Sequence, residues 1–164
     1  MCVSIIVIVR NESLHIKKCL DAILNQSYKN FELILIENNS TDGTLEIIES
    51  YKDERIKLFC SNKDSGYGNL RNYAIKKTTG KYIFFTDGDC TPHYDWINQG
   101  LKIFQNEDCV GVEGRTFYES ESVTVSSHYT QRIKPEGYLT CNVAYNRESI
   151  LQVGCFDPNL KYVY

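Results

Sequence analysis

Val3-Ser4-Ile5-Ile6-Val7-Ile8-Val9-Arg10-Asn11-Glu12 is a β-branched, almost unbroken apolar run that ends abruptly in polar residues. An apolar strand of this kind belongs in a parallel sheet covered on both faces. The period then changes. Ile16, Cys19, Leu20, Ile23 and Leu24 recur at helical spacing, with Ser13 or Asn11 as the expected N-cap and Asn25-Gln26-Ser27 as the exit.

The strand-helix unit repeats. Residues 31–36 form a second apolar run, Ser40 or Thr41 offers a cap, and Leu45, Ile48 and Tyr51 mark one side of a short helix. A third strand is expected at 55–59, a helix at 69–77 after the polar loop 61–68, and a fourth strand at Tyr82-Ile83-Phe84-Phe85. Alternation with short connections predicts a doubly wound, mostly parallel α/β sheet of Rossmann-like type. Beyond residue 89 the pattern predicts a helix at 96–104, a strand at 110–114, a strand at 137–145 and a helix at 147–153.

Composition supports one folded domain. The chain has 164 residues, 42% hydrophobic and 24% charged, and a domain of that size buries roughly two thirds of its unfolded surface. The net charge of -3 is spread without single-sign blocks, which argues against nucleic acid as a partner. A weakly acidic chain can still bind a nucleoside diphosphate if a cation supplies local positive charge. Seven cysteines, widely spaced and without a Cys-x-x-Cys pair, are expected to be reduced and mostly buried, as in a cytoplasmic protein. The opening run lacks a basic leader and a cleavage site. No stretch reaches the about 20 apolar residues needed to span a bilayer, so membrane contact is expected only through segments absent from this chain.

Ligands of doubly wound sheets bind at the carboxyl ends of the strands. Those ends carry Arg10-Asn11-Glu12, Glu37-Asn38-Asn39 and Asp87-Gly88-Asp89. Two carboxylates held close together repel unless a cation sits between them, and Mg²⁺ or Mn²⁺ shares its remaining positions readily with a diphosphate. Taken alone, Asp-Gly-Asp is also ordinary turn chemistry, the glycine easing a tight turn. An EF-hand fails because Thr91 and Pro92 stand where a calcium loop needs an oxygen ligand and a glycine. No Gly-x-x-x-x-Gly-Lys run exists for a P-loop. Asp87, Asp89 and Thr91 do match the Asp-x-Asp-x-Thr motif of haloacid-dehalogenase-like phosphohydrolases, a more remote alternative, since that motif belongs on a first strand.

A broader resemblance spans nearly the whole chain. Val3 to Glu12, Leu20-Asp21-Ala22-Ile23-Leu24-Asn25-Gln26-Ser27-Tyr28, Phe31 through Glu37-Asn38-Asn39-Ser40-Thr41-Asp42-Gly43-Thr44, Leu70-Arg71-Asn72-Tyr73-Ala74 and Gly80 through Asp89 resemble, in order, the blocks of family 2 glycosyltransferases of the A-type fold. The resemblance implies inverting, metal-assisted transfer of a sugar from a nucleoside-diphosphate donor, with a UDP-sugar expected, in glycan or polysaccharide biosynthesis. Val9 and Glu12 would line the base and ribose pocket, Glu37 would accept from the base edge, and Arg71 would lie near the base or diphosphate. Asp87 would face the ribose or sugar, and Asp89 would ligate Mn²⁺ or Mg²⁺. Family members commonly carry Pro near the end of strand one, where this chain has Ile8-Val9, and Asp where it has Glu37.

The resemblance also implies a division into a nucleotide-sugar-binding half, 1–112, and the start of an acceptor-side half, 113–164. The latter contains Gly137 to Arg147 and the Val153-Gly154-Cys155-Phe156-Asp157 turn. The acceptor would be a glycan, a lipid-linked group or a protein. The general base belongs to an acidic pair that the resemblance places beyond Tyr164, with Glu113 and Glu136 only weak substitutes, so poor transfer or a donor-binding fragment without catalysis is the alternative expectation.

Overall fold

The computed structural model describes residues 2–61, 66–117 and 139–158. Its elements run β1 (Val3–Val9), α1 (Ile16–Leu24), β2 (Phe31–Asn38), α2 (Thr44–Glu49), β3 (Ile56–Ser61), α3 (Tyr67–Lys77), β4 (Tyr82–Asp87), α4 (Trp96–Asn106), β5 (Gly111–Glu113), β6 (Val143–Asn146) and α5 (Arg147–Gln152). Among the described residues, six strands form one sheet in the order β3-β2-β1-β4-β6-β5. β1 to β4 are mutually parallel, and β6 runs antiparallel between β4 and β5.

Every residue of β1 and β2 is buried, as a strand sandwiched between helices must be. Alternation divides their side chains between two cores. Ile5, Val7, Leu33, Leu35 and Phe84 face α1 and α4, where Ile16, Cys19, Leu20, Ile23, Ile97 and Leu101 meet them. Ile6, Ile8, Ile34, Ile36 and Phe85 face Leu70, Ala74 and Ile75 of α3 and Ile150 of α5. Each large aliphatic side chain so enclosed contributes about 1.5–3 kcal/mol. Gly100 lets α4 lie directly on β4, since a β-carbon there would come 2.7 Å from the Phe84 ring.

The expected caps are not the observed ones. α1 begins after His15 and α2 after Gly43, neither with a side-chain cap. Ser13, Asn11, Ser40 and Thr41 are used instead in contacts between loops. The strand expected at 137–145 is shorter and later, at Val143–Asn146, and its first two positions, 137 and 138, lie outside the described residues. Leu139 to Asn142 is a turn instead, with Asn142 N–H donating to Leu139 O at 3.0 Å. All seven cysteines are free, as expected, but only Cys19 is buried, and Cys60 is exposed. Cys2, Cys90, Cys109, Cys141 and Cys155 lie outside the helices and strands, where they are only partly covered.

Candidate functional site

β2 and β3 extend the sheet to one side of β1 and β4 to the other, so the direction of winding reverses between β1 and β4. Crevices open at the carboxyl ends of strands at such a reversal. Strand register sets Val9 beside Glu37 and Ile8 beside Asp87, which brings three of the expected site residues to one edge by backbone pairing alone. Val9 and Glu37 are nearly fully buried, and Glu37 Oε1 accepts from Ser40 N–H at 2.6 Å. Among the described residues, Asn38 Oδ1, at the end of β2, is buried without a hydrogen-bond partner.

The loops after β1 and β2 are tied to one another. Asn11, in left-handed backbone (φ 55), accepts Thr41 N–H on Oδ1 at 2.9 Å and donates its own N–H to Ser40 Oγ at 3.0 Å. Glu12 N–H donates to Thr44 Oγ1 at 2.8 Å and Ser13 N–H to Asp42 Oδ2 at 2.9 Å. Two segments far apart in sequence thereby hold Glu12 over the strand ends. Asn-Ser-Thr-Asp-Gly-Thr is legible as a block in the sequence; its work as the receptor of the first loop is not.

Asp87 ends β4, and Cys90 N–H returns to Asp87 O at 3.1 Å, closing a turn around Gly88 and Asp89. Gly88 is not needed for left-handed backbone. It is needed for space, because a β-carbon would sit 3.0 Å from Val9 Cγ2 and 3.4 Å from Glu12 Cγ. The carboxylates crowd one another. Burial pushes Asp87 up to about 6, against the pull of Arg71 and with a further push from Asp89. Burial also raises Glu12, helped by repulsion from Asp89, Asp42 and Asp87.

Arg71 projects from α3 with Nη2 3.8 Å from Asp87 Oδ1 and 2.8 Å from Thr140 Oγ1. Its guanidinium lies between the rings of Tyr67 and Phe156, 5.7 Å from each centroid. Neighbouring Asn72 holds Phe156 by both backbone groups, at 2.7 and 2.9 Å. Asp89, Glu12, Val9, Glu37, Asp87 and Arg71 thus come together. The candidate bases do not join them. Glu113 Oε1 accepts Leu139 N–H at 3.0 Å, Asp157 is exposed in the turn after α5, and Glu136 lies outside the described residues.

Sequence reasoning missed the supports of the segment after Asp89. Gln26, fully buried, donates Nε2 to His93 O at 2.7 Å and accepts Ile97 N–H at 3.2 Å, while Trp96 Nε1 donates to Asn142 Oδ1 at 2.8 Å. It also missed a thiol beside the carboxylates: Cys90 Sγ donates toward Asp89 Oδ1 at 3.5 Å, and the interaction with Cys141, burial and the charges of Asp89 and Asp87 hold it in its thiol form. Among the described residues no set of three or more His, Cys, Asp or Glu forms a ready-made metal cage, and no helix is long and apolar enough to cross a membrane.

Known proteins share this architecture. Over 99% of its length the chain superposes on 32% of S. aureus TarS, with TM-score 0.80 and 20% identity. TarS 1-349 has been solved in complex with UDP (TM-score 0.77, 22% identity, 99% of this chain and 52% of that one). The mannosyltransferase PcManGT of Pyrobaculum calidifontis, solved with GDP-Man and Mn²⁺, matches 96% of this chain and 48% of its own with TM-score 0.75 at 20% identity. These likenesses show the A-type glycosyltransferase fold. In sequence, the chain is 33% identical over 170 residues to an uncharacterized glycosyltransferase of Haemophilus influenzae, covering 98% of this chain and 67% of that one. It is 34% identical over 103 residues to glycosyltransferase AglE of Haloferax volcanii, covering 60% of this chain and only 34% of that protein. The sequence model of Glycosyl transferase family 2 matches residues 4–158, nearly the entire chain, which therefore belongs to that family.

Proposed function

We propose that the crevice between β1 and β4 binds a nucleoside diphosphate-sugar, a UDP-sugar in the first instance, together with Mn²⁺ or Mg²⁺, for inverting transfer to an acceptor hydroxyl. The observation that carries this reading is the pairing of Val9 with Glu37 and of Ile8 with Asp87 on one carboxyl edge, with Glu12 and Asp89 crowded against Asp87. Nucleotide complexes of proteins with the same fold agree with it.

The residues present suit a metal. A hard cation of this class takes one or two carboxylates and completes its shell with phosphate and water oxygens, so the lack of a full protein cage among the described residues is no obstacle. Asp89 would hold the ion with Asp87 nearby; burial does most to lift Asp87 and Glu12, and the repulsion from Asp89 that adds to it is what a cation relieves. When bound, the ion neutralises charge that develops on the departing diphosphate. Glu37 would accept from a ring N–H of the base, Val9 and Glu12 would bound the base and ribose, and Arg71, braced by Thr140, would reach toward base or diphosphate oxygens. The acceptor, a glycan, lipid-linked group or protein, would enter from the side of residues 139–158, consistent with halves meeting near residue 112. No described carboxylate is assigned the proton-abstracting role, since Glu113 is committed to Leu139.

Calorimetric titration with UDP- and GDP-sugars, with and without Mn²⁺, tests the reading. Mn²⁺-dependent binding of a UDP-sugar, lost in Asp89→Ala, is the expected result. Binding indifferent to that substitution would remove Asp89 from the site.

A further inference from the structure

We propose that Asn72 is a positioning residue of the crevice, one that fixes the Phe156 ring and, through it, the Arg71 guanidinium. Asn72 Nδ2 donates to Phe156 O at 2.7 Å, and Asn72 Oδ1 accepts Phe156 N–H at 2.9 Å. One side-chain amide thus satisfies both backbone groups of a residue 84 positions away. Such a two-point grip sets where Phe156 sits and which way it faces, and it needs a donor and an acceptor on one short planar group. The gripped ring stands edge-on to Phe85 of β4, with centroids 5.6 Å apart and planes at 80°. It also meets Arg71, whose guanidinium carbon lies 5.7 Å from the Phe156 centroid and 5.7 Å from that of Tyr67. Arg71 and Asn72 are neighbours in α3, so one turn of helix carries both the side chain being aimed and the side chain that holds its support.

The backbone before Phe156 is held in an unfavourable conformation. Gly154 has φ 86, and Cys155, which carries a side chain, has φ 67. Gly154 N–H donates to Leu151 O at 3.1 Å and Cys155 N–H to Ile150 O at 2.9 Å, closing the end of α5. A left-handed glycine is the usual end of a helix. A second left-handed residue, this one with a β-carbon, persists only where its surroundings over-determine it. Here the Ile150 bond fixes Cys155 from one side and the Asn72 grip on Phe156 from the other.

The grip has a consequence for binding, which rests on the donor-site reading above. Arg71 Nη2 bonds Thr140 Oγ1 at 2.8 Å and reaches within 3.8 Å of Asp87 Oδ1. With a ring on either side, its planar fork is oriented before any ligand arrives, and an arginine already immobilised loses less freedom on binding. Releasing Phe156 removes one of those rings. Mn²⁺-dependent UDP binding is then expected to weaken roughly fivefold, the scale of ordering one long side chain.

Side-chain NMR of the protein with isotope-labelled arginine tests the grip directly, the Arg71 signal being identified by its loss in Arg71→Lys. The Arg71 Nε–H is expected to be as ordered as the backbone in the parent and mobile on the picosecond-to-nanosecond scale in Asn72→Ala and in Phe156→Leu. An Arg71 equally ordered in all three overturns the proposal. Calorimetric titration with UDP and Mn²⁺ tests the consequence. Asn72→Ala is expected to bind roughly fivefold more weakly, and that loss is expected to vanish when Arg71 is already Ala, while any drop in melting temperature persists in both backgrounds. Unchanged affinity, or the same loss with and without Arg71, overturns the positioning role and leaves Asn72 a structural link between α3 and the turn after α5. Should Asn72→Ala not fold, Phe156→Leu carries both measurements, since it removes the ring and keeps the backbone groups that Asn72 holds. Failure of the donor-site reading looks different: the parent then binds no UDP, and the arginine signal still decides whether Asn72 orders Arg71.

Discussion

Gly88 illustrates how much can depend on a missing methyl group. Its neighbours are Val9 at 3.0 and 3.3 Å and Glu12 at 3.4 Å from where a β-carbon would stand. Val9 cannot give way, being β-branched, 1% exposed and locked in β1. Gly88→Ala must therefore push the turn outward and carry Asp87 and Asp89 away from Glu12. The expected cost in stability is about 1 kcal/mol, typical of overpacking. The cost in Mn²⁺-dependent UDP binding is expected to be larger, roughly tenfold or more, because small displacements are amplified at a site that works by position. Thermal melts and calorimetry on the same variant separate the two effects; a variant that binds like the parent would show that Gly88 packing does not set the turn. The sequence suggests a different role, turn flexibility, because Asp-Gly-Asp looks locally like turn chemistry. Contact with Val9 belongs to a pairing across most of the chain, which no local pattern reports.

At the scale of elements, apolar runs and helical spacing were enough to locate β1, β2, β4, α1 and α4 to within a few residues. Those segments bury one face or both, and burial is what periodicity encodes. Caps were not legible. Asn11 and Ser40 have the chemistry of caps, but each spends its side-chain oxygen on the other loop, while Asp42 divides its carboxylate between Ser13 N–H of the other loop and Thr44 N–H of its own, and a polar side chain does not announce which backbone it will meet. The later strand was misread for a related reason: Tyr138, Leu139 and Val143 supply strand-like residues, while the hydrogen bonds of residues 139–142 go to Glu113, Arg115, Trp96 and Arg71. Gln26, just after α1, ties that helix's exit to the start of α4, alongside Ser27, whose Oγ bonds Asp95 and Asn98. Gln26→Leu would leave His93 O and Ile97 N–H without their partners, at about 1–3 kcal/mol for each buried group. Urea unfolding should shift to a lower midpoint by a total on the order of 3 kcal/mol with little change in slope. An unshifted midpoint would mean that water replaces the amide at no cost.

The whole molecule has opposite electrostatic designs at the two edges of its sheet. At the carboxyl edge, Glu12 and Asp87 are crowded and raised; at the amino edge, Glu32 is satisfied and lowered. Glu32, 6% exposed, accepts Ser4 Oγ at 2.6 Å, Thr79 N–H at 2.6 Å and Lys57 Nζ at 2.6 Å, and Ser4 in turn accepts Gly80 N–H at 2.9 Å. It bolts β1, β2, β3 and the entry to β4 together. Burial works against its charge, but the bonds from Lys57, Ser4 and Thr79 prevail and hold it at about 2, below the ordinary 4.5. A depressed carboxyl stabilises the fold above pH 4.5 and loses that contribution as pH falls through about 2. Asp87 has the opposite sign: raised from 3.8 to about 6, its neutral form is favoured in the fold, and that contribution disappears as pH rises through about 6. The Glu32 term is on the order of 2 kcal/mol once screening at the half-exposed Lys57 is allowed for. Glu32→Gln should therefore unfold about that much more easily at pH 7, and the difference should narrow steadily as pH is lowered from 4.5 toward 2. Mn²⁺-dependent UDP binding at pH 7 should not change, because Glu32 opens β2 while Glu37 lies near its other end. Denaturant titrations of both proteins across this pH range measure the first effect and calorimetry the second. A constant stability gap at all pH values would place the loss in packing, not in the charge of Glu32.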